Sequence, residues 1–373
     1  MASEHSPSTA PYDALLLVSF GGPEKPEDVV PFLENVTRGR GIPRERLEEV
    51  GEHYYAFGGR SPINDQNRDL LAAIREDLDG AGIDLPVYWG NRNWDPYLTD
   101  TVAQMRDDGV TRAACFLTSA YSSYSSCRQY RENLADAASA VPGAPRLDRL
   151  RAYFNHPGFV EAVVGATLSA MADLAAEKRA DARLVFVTHS IPTAMNDGSG
   201  PVGGAYERQH RSVMAEVVER VREETGYRPR HELVYCSRSG SPEVPWLEPD
   251  VNDHLVDLAE KGVTAAVLVP IGFVSDHMEV IYDLDTEAVE TAREVGVDVV
   301  RAATPGIDPR FVAAIRDLLL ERAAGERDEL PRRAAVGDQP ACWDLCAPDC
   351  CPNPRGDRPA LGQTDTPGEP GYA

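Results

Sequence analysis

The sequence predicts an α/β fold of two similar halves, each a parallel sheet flanked by helices, with a cleft between them. Three observations lead there. Short β-rich apolar runs alternate with helical patterns along the chain, an order that favours parallel sheets. The segment Asp95-Pro96 to Met105, followed by Gly109-Val110-Thr111, is matched by Glu248-Pro249 to Leu258, followed by Gly262-Val263-Thr264, at a constant offset of 153 residues. The first strands pair more loosely, LLLVSFGGP at 15–23 with LVFVTHSIP at 184–192.

The strands are expected at Ala14–Ser19, Leu85–Trp89, Ala113–Thr118, Leu184–Thr188, Leu233–Cys236, Ala265–Pro270 and Val297–Val300. The first half then spans 12–155 and the second 156–330, with a loose tail at 1–11 and a C-terminal extension at 331–373. Residues 352–373 are rich in proline and glycine with almost nothing to bury, so disorder is expected there. In open α/β sheets ligands bind at the carboxyl ends of strands, so the residues after each strand are the ones to inspect.

Composition narrows the function. The 373 residues, 42% hydrophobic and 26% charged, suffice for two ordinary cores or one large one. Thirty-seven Lys and Arg against 60 Asp and Glu leave a net charge of −23, which repels phosphate backbones and argues against nucleic acid as a partner. The first residues lack a basic start and a small-residue cleavage site, and the run Ala265–Val274 is interrupted by Pro270 and too short for a membrane span. A cytoplasmic protein without a transmembrane segment is expected. No GxGxxG follows a strand and no GxxxxGK[ST] occurs, so neither dinucleotides nor nucleoside triphosphates are indicated. Cys342, Cys346, Cys350 and Cys351 crowd near the C-terminus; in a reducing compartment such a group more often holds metal than disulfides.

Chemistry gathers at the strand ends. His189, in Thr188-His189-Ser190-Ile191-Pro192, can accept a proton near neutral pH or ligate a metal, or it is a surface residue in a turn. After the strand at 265–270, a helix from Asp276 would set Glu279, Asp283 and Glu287 at i, i+4 and i+8 on one face. Like charges at that spacing cost about 0.2–0.5 kcal/mol per pair, so the row suits a divalent cation in transit or a proton path. The alternative is a capping box, Asp276-x-x-Glu279, on a solvated acidic face. Glycine pairs at 21–22 and 58–59, with Arg38, Arg40 and Arg60 nearby, would let an anionic ligand approach the backbone and be gripped by guanidinium groups; ordinary loops fit as well. Tyr121-Ser-Ser-Tyr124-Ser-Ser-Cys127 mirrors the acidic segment in the first half and could line a flat organic ligand.

Together, VSFGGPE at 18–24, NVTRGRG at 35–41, GGRSPIN at 58–64, VTHSIP at 187–192, PWLEPDV at 245–251 and IGFVSDHMEVIYDLD at 271–285 resemble the ferrochelatase family. The resemblance implies two Rossmann-like, chelatase-type halves around a porphyrin cleft. It implies that His189 and Glu279 face each other across the porphyrin plane as catalytic and metal-binding groups for substrate Fe²⁺, and that Asp283 and Glu287 continue a metal path. Arg40, Ser61 and Tyr124 match positions the family uses for propionates. Phe20 stands where shorter Gram-positive members have a tyrosine, which removes one proposed metal contact. Likeness to the actinobacterial branch implies coproporphyrin III as substrate and coprohaem as product, with protoporphyrin IX as the alternative. The resemblance also implies a [2Fe–2S] cluster on Cys127, Cys342, Cys346 and Cys351, Cys350 competing with Cys351, and a structural zinc site as the alternative. A transient enzyme of haem synthesis is the further partner it suggests.

Two rival readings are a cobalt or nickel chelatase, whose site is usually richer in histidine than the strand-end segments here, which hold only His189 and His277, and a non-catalytic tetrapyrrole or metal carrier.

Overall fold

The computed structural model describes residues 7–39, 41–240 and 243–371. It contains two four-stranded parallel sheets. The first, β1 (Ala14–Ser19), β2 (Val87–Asn91), β3 (Arg112–Leu117) and β4 (Arg146–Arg149), has the order β2-β1-β3-β4. The second, β5 (Arg183–His189), β6 (His231–Cys236), β7 (Ala265–Val269) and β8 (Asp298–Arg301), repeats it as β6-β5-β7-β8. The repeat is therefore structural. Asp95-Pro96 and Glu248-Pro249 are both cis, and the two proline carbonyls accept from equivalent strand ends, Asn91 N–H at 2.7 Å and Tyr235 N–H at 2.9 Å.

The central strands are unbroken apolar runs because helices cover both faces. Alternation along β1 divides its side chains between two cores: Ala14, Leu16 and Val18 pack with Leu98, Val102 and Leu134, whereas Leu15 and Leu17 join a larger cluster. That cluster also holds Phe186 and Val267 of the second sheet and Phe311 of the helix Pro309–Glu326. The halves thus share one core.

β4 was not expected. Its sequence, RLDR, has no apolar alternation, but Asp148 receives Arg112 Nε at 2.6 Å and the strand runs in parallel register with β3. A backbone ladder and paired charges make this edge strand, rather than side-chain hydrophobicity.

The C-terminal segment also departs from expectation. Residues 352–371 lie against the first half: Arg131 donates to Leu361 O at 2.6 Å and Gly362 O at 3.2 Å, and Arg128 to Arg358 O at 3.0 Å. Composition misses this because the partners are backbone carbonyls, which every residue carries. At the other end, Arg327 donates to Ser8 O and Ala10 O, so residues 7–11 are tethered too. Residues 1–6, expected as part of the loose tail, lie outside the described residues. No helix among the described residues is long and apolar enough to cross a membrane.

Truncating Phe186, which is fully buried in the shared core, to alanine should cost about 3–5 kcal/mol. Because the core is common, urea unfolding should remain one cooperative transition; separate transitions for the two halves would contradict it.

Candidate active site

His189 is the last residue of β5, and its ring is aimed by what surrounds it. Nδ1–H donates to Ser190 O at 2.5 Å, which leaves Nε2 directed at Glu279 Oε1, 3.4 Å away. Below it, Thr188 Oγ1 bonds to the Tyr206 hydroxyl at 2.8 Å and His210 Nε2 at 2.9 Å, and the Tyr206 hydroxyl donates to His189 O at 2.9 Å. The loop bringing Glu279 passes directly over this strand end: a Cβ on Gly272 would stand 2.1 Å from Thr188 Oγ1. Only glycine allows that approach.

Glu279 is the second residue of the short helix Met278–Ile281, whose N-cap is His277; His277 Nδ1 accepts Glu279 N–H at 3.2 Å. The helix does not start at Asp276 as expected. The Asp276 carboxylate is occupied by Arg301 at 3.2 Å and Thr304 at 3.1 Å, so it cannot cap. A π-helical turn follows at Asp283–Ala288, with Glu287 N–H reaching Tyr282 O. Asp283 accepts from Ser237, which closes β6 in a left-handed conformation (φ 60°). Glu287 is exposed and Asp283 half-buried, so the acidic row runs from surface to cleft.

The expectation that His189 and Glu279 face each other across a ring is corrected. At 3.4 Å they touch, and a macrocycle with its own thickness does not fit between them.

Electrostatics follow from the contact. Burial alone would lower the His189 imidazole, but the Glu279 carboxylate, the hydrogen bond to it and Ser190 O raise it to about 9. For Glu279, whose side chain is 46% exposed, His189 outweighs the desolvation that opposes ionisation and brings the carboxyl to about 2. Asp283 is pushed up to about 7 by burial and by Glu279 and Glu287, with the Ser237 hydrogen bond opposing.

The first half supplies the opposing wall. His53, on the helix Arg44–Tyr55, stacks on Tyr282 with centroids 3.9 Å apart. Burial raises the Tyr54 phenol, and Glu279 and Asp283 raise it further. Gln66 Oε1 accepts Asp276 N–H at 2.7 Å. A cavity of about 330 Å³ lined by Phe57, Arg60, Pro62, Gln66, Asp276 and Ile281 opens on the segment that carries Glu279, within the usual ~300–1,000 Å³ range of small-molecule sites. His53, Tyr54 and Gln66 were missed in the sequence because they lie within helices, away from strand ends; no local pattern marks them.

The other candidates are less simply placed. Arg60 is paired with Asp65 at 2.5 Å and Arg38 with Asn35 at 2.5 Å, so neither is an uncommitted anion grip. Arg40 lies outside the described residues. Ser61 is buried beneath Gly22, where a Cβ would meet Ser61 Cβ at 2.8 Å; this glycine serves loop packing. Tyr124 is 4% exposed, and its hydroxyl accepts from Arg355 at 3.0 Å and faces Glu132 at 3.5 Å. The C-terminal segment, rather than the cleft pair, engages it.

All five cysteines of the proposed group are buried. Cys346, Cys350 and Cys351 form one cluster, with Cys350 and Cys351 sulfurs 3.8 Å apart, and Arg149 donates to both Cys346 and Cys127. Cys342 sits in the main core, facing Gln209 Nε2 at 3.8 Å. No three of the His, Cys, Asp and Glu side chains among the described residues stand in a ready metal-binding arrangement. The surroundings nevertheless suit anionic sulfur: Trp343 Nε1–H points at Cys346 at 3.2 Å, Gly200 N–H at Cys351 at 3.2 Å, and buried Arg149 Nε and Arg131 Nη1 have no oxygen partner among the described residues. Hydrogen bonds from the Cys127 and Cys350 thiols hold Cys346 well below the ordinary thiol range.

In the ligand-free protein His189 should titrate at about 9 by NMR, and in Glu279→Gln it should titrate lower, since the carboxylate that raises it most is gone. The sign for stability follows: the pair's contribution is complete between the ordinary values of the two groups, is lost as pH rises through about 9, and is lost again as pH falls through about 2. An unchanged His189 titration in the variant would contradict the coupling.

Comparison with known proteins identifies the fold and the family. The solved structure of SirB from Bacillus subtilis with Fe3+ superposes with a TM-score of 0.51, covering 84% of this chain and 97% of that one, at 14% identity, which shows a common fold. Proteins named coproporphyrin III ferrochelatase from Streptomyces griseus and Streptomyces coelicolor are each 59% identical over 367 residues, 96% of this chain and 98% of theirs. One from Frankia alni is 58% identical over 347 residues, 92% of this chain and 87% of its own. The sequence model of the ferrochelatase family matches residues 12–323, and the chain belongs to that family.

Proposed function

We propose that this protein inserts ferrous iron into coproporphyrin III, giving coprohaem and two protons. The observation that carries the reading is the His189–Glu279 contact at the cleft between the halves, in a chain up to 59% identical to proteins named for that reaction.

Insertion requires that hydrated iron lose water and that two pyrrole N–H protons leave. Glu279, ionised at any physiological pH, is the carboxylate that receives the metal. Arrival of a dication there cancels the field that keeps His189 protonated. Burial then drives its proton off, and the neutral imidazole becomes the base for a pyrrole N–H. Asp283, poised at about 7, can take up and release protons near neutral pH, and exposed Glu287 completes the path to solvent. The same row, read inward, strips water from incoming iron. Ser61 and Arg40 are the propionate contacts in this reading. Tyr124 would contribute only if Arg355 releases its hydroxyl.

Cys127, Cys342, Cys346 and Cys351, with Cys350 as the alternative to Cys351, would hold a [2Fe–2S] cluster. When bound, it supplies iron–thiolate crosslinks between the first half and the C-terminal segment and a one-electron couple. We take the reaction to be cytoplasmic and the handover of coprohaem to involve a transient contact with another haem-synthesis enzyme, for which the net charge of −23 favours a basic docking face.

An anaerobic assay with Fe²⁺ should give metalloporphyrin with a higher kcat/KM for coproporphyrin III than for protoporphyrin IX; the reverse order would overturn the substrate. His189→Ala should lower kcat by about 10²–10⁴-fold while fluorescence shows porphyrin still bound. Glu279→Gln should instead raise the KM for iron as well as lowering kcat. Full turnover in either variant would refute its role. Anaerobically purified protein should show the visible absorption of a [2Fe–2S] cluster, whereas a colourless, zinc-containing preparation would refute the cluster.

A further inference from the structure

Arg149 closes β4 with only 3% exposure, and its hydrogen bonds are unusual for a buried guanidinium. Nη2 donates to Cys346 Sγ at 3.1 Å and to Trp343 O at 3.1 Å, Nη1 donates to Cys127 Sγ at 3.7 Å, and Nε has no partner among the described residues. The nearby buried carboxylate, Asp344, is claimed by Arg333 and Arg322. A charge taken out of water without a counter-charge costs several kcal/mol. Neutral thiols do not offset that, but thiolates do. Arg131, also buried beside the sulfurs, gives Nε and Nη2 to the carbonyls of Leu361 and Gly362 and donates to no sulfur.

We propose that Arg149 is the buried counter-cation of the cysteine group and biases its [2Fe–2S] cluster toward the reduced state. This rests on the cluster reading above. A [2Fe–2S] centre on four thiolates carries two negative charges when oxidised and three after accepting one electron from an external reductant; no bond to the ligands need break. A fixed positive charge at hydrogen-bond distance from two of the sulfurs, in a water-poor surrounding, stabilises the more negative form more strongly. The neutral donors Trp343 Nε1–H and Gly200 N–H act in the same direction without a full charge.

The test uses the full chain, purified anaerobically as wild type, Arg149→Gln and Arg149→Lys. Iron and acid-labile sulfide are assayed, and the midpoint potential is read by dithionite titration with EPR of the reduced cluster. The expected result is equal cluster content, a midpoint in Arg149→Gln shifted to more negative potential, and one in Arg149→Lys closer to wild type. If Arg149→Gln assembles no cluster but Arg149→Lys does, the charge is needed to gather the thiolates and the assignment stands. Equal midpoints in wild type and Arg149→Gln, or loss of the cluster in both variants, would overturn it. A wild type without iron and sulfide would overturn the cluster reading itself, and the inference with it.

Discussion

Contact between the His189 imidazole and the Glu279 carboxylate depends on a backbone crossing with no room for a side chain. The loop from β7 lies on the end of β5 at Gly272, against Thr188. The same threonine is held from below by Tyr206 and His210, so the strand end cannot yield. Everything the cleft can do follows from this rigid seat. The carboxylate remains ionised because the imidazolium is there, the imidazolium persists because the carboxylate is there, and Asp283 is pushed toward neutrality by its burial and by the charge Glu279 already carries.

Identical topology in the halves has been put to different uses. Each has a π-helical turn after its third strand, Tyr124–Arg128 in the first and Asp283–Ala288 in the second. In the second half the turn carries carboxylates into the cleft. In the first it carries Tyr124, Cys127 and Arg128, which meet Arg355, Cys346 and the carbonyls of Pro348 and Arg358. The repeat supplies two equivalent positions; side-chain chemistry turns one toward the substrate cleft and the other toward the C-terminal segment.

Charge is distributed accordingly. The net charge is strongly negative, yet buried guanidinium groups of Arg128, Arg131 and Arg149 concentrate where the C-terminal segment folds back. They do there what apolar side chains do elsewhere, because a segment poor in hydrophobic residues offers mainly carbonyl oxygens and sulfur for partners. Arg128 also pairs with the fully buried Glu132, whose carboxylate receives Asn353 as well.

The sequence by itself determined the two-half α/β plan, seven of the eight strands and the location of His189 at a strand end. Apolar runs and their repeat are local signals, and strand ends are where such sheets carry function. Tertiary structure alone decided that His189 and Glu279 touch rather than oppose each other, that Asp276 belongs to Arg301 instead of a helix cap, and that Tyr124 faces Arg355. It also decided that RLDR forms a strand and that residues 352–371 are held in place. Each of these turns on a partner distant in the chain, and spacing along a sequence records which residues share a face but not which residue from elsewhere will meet them.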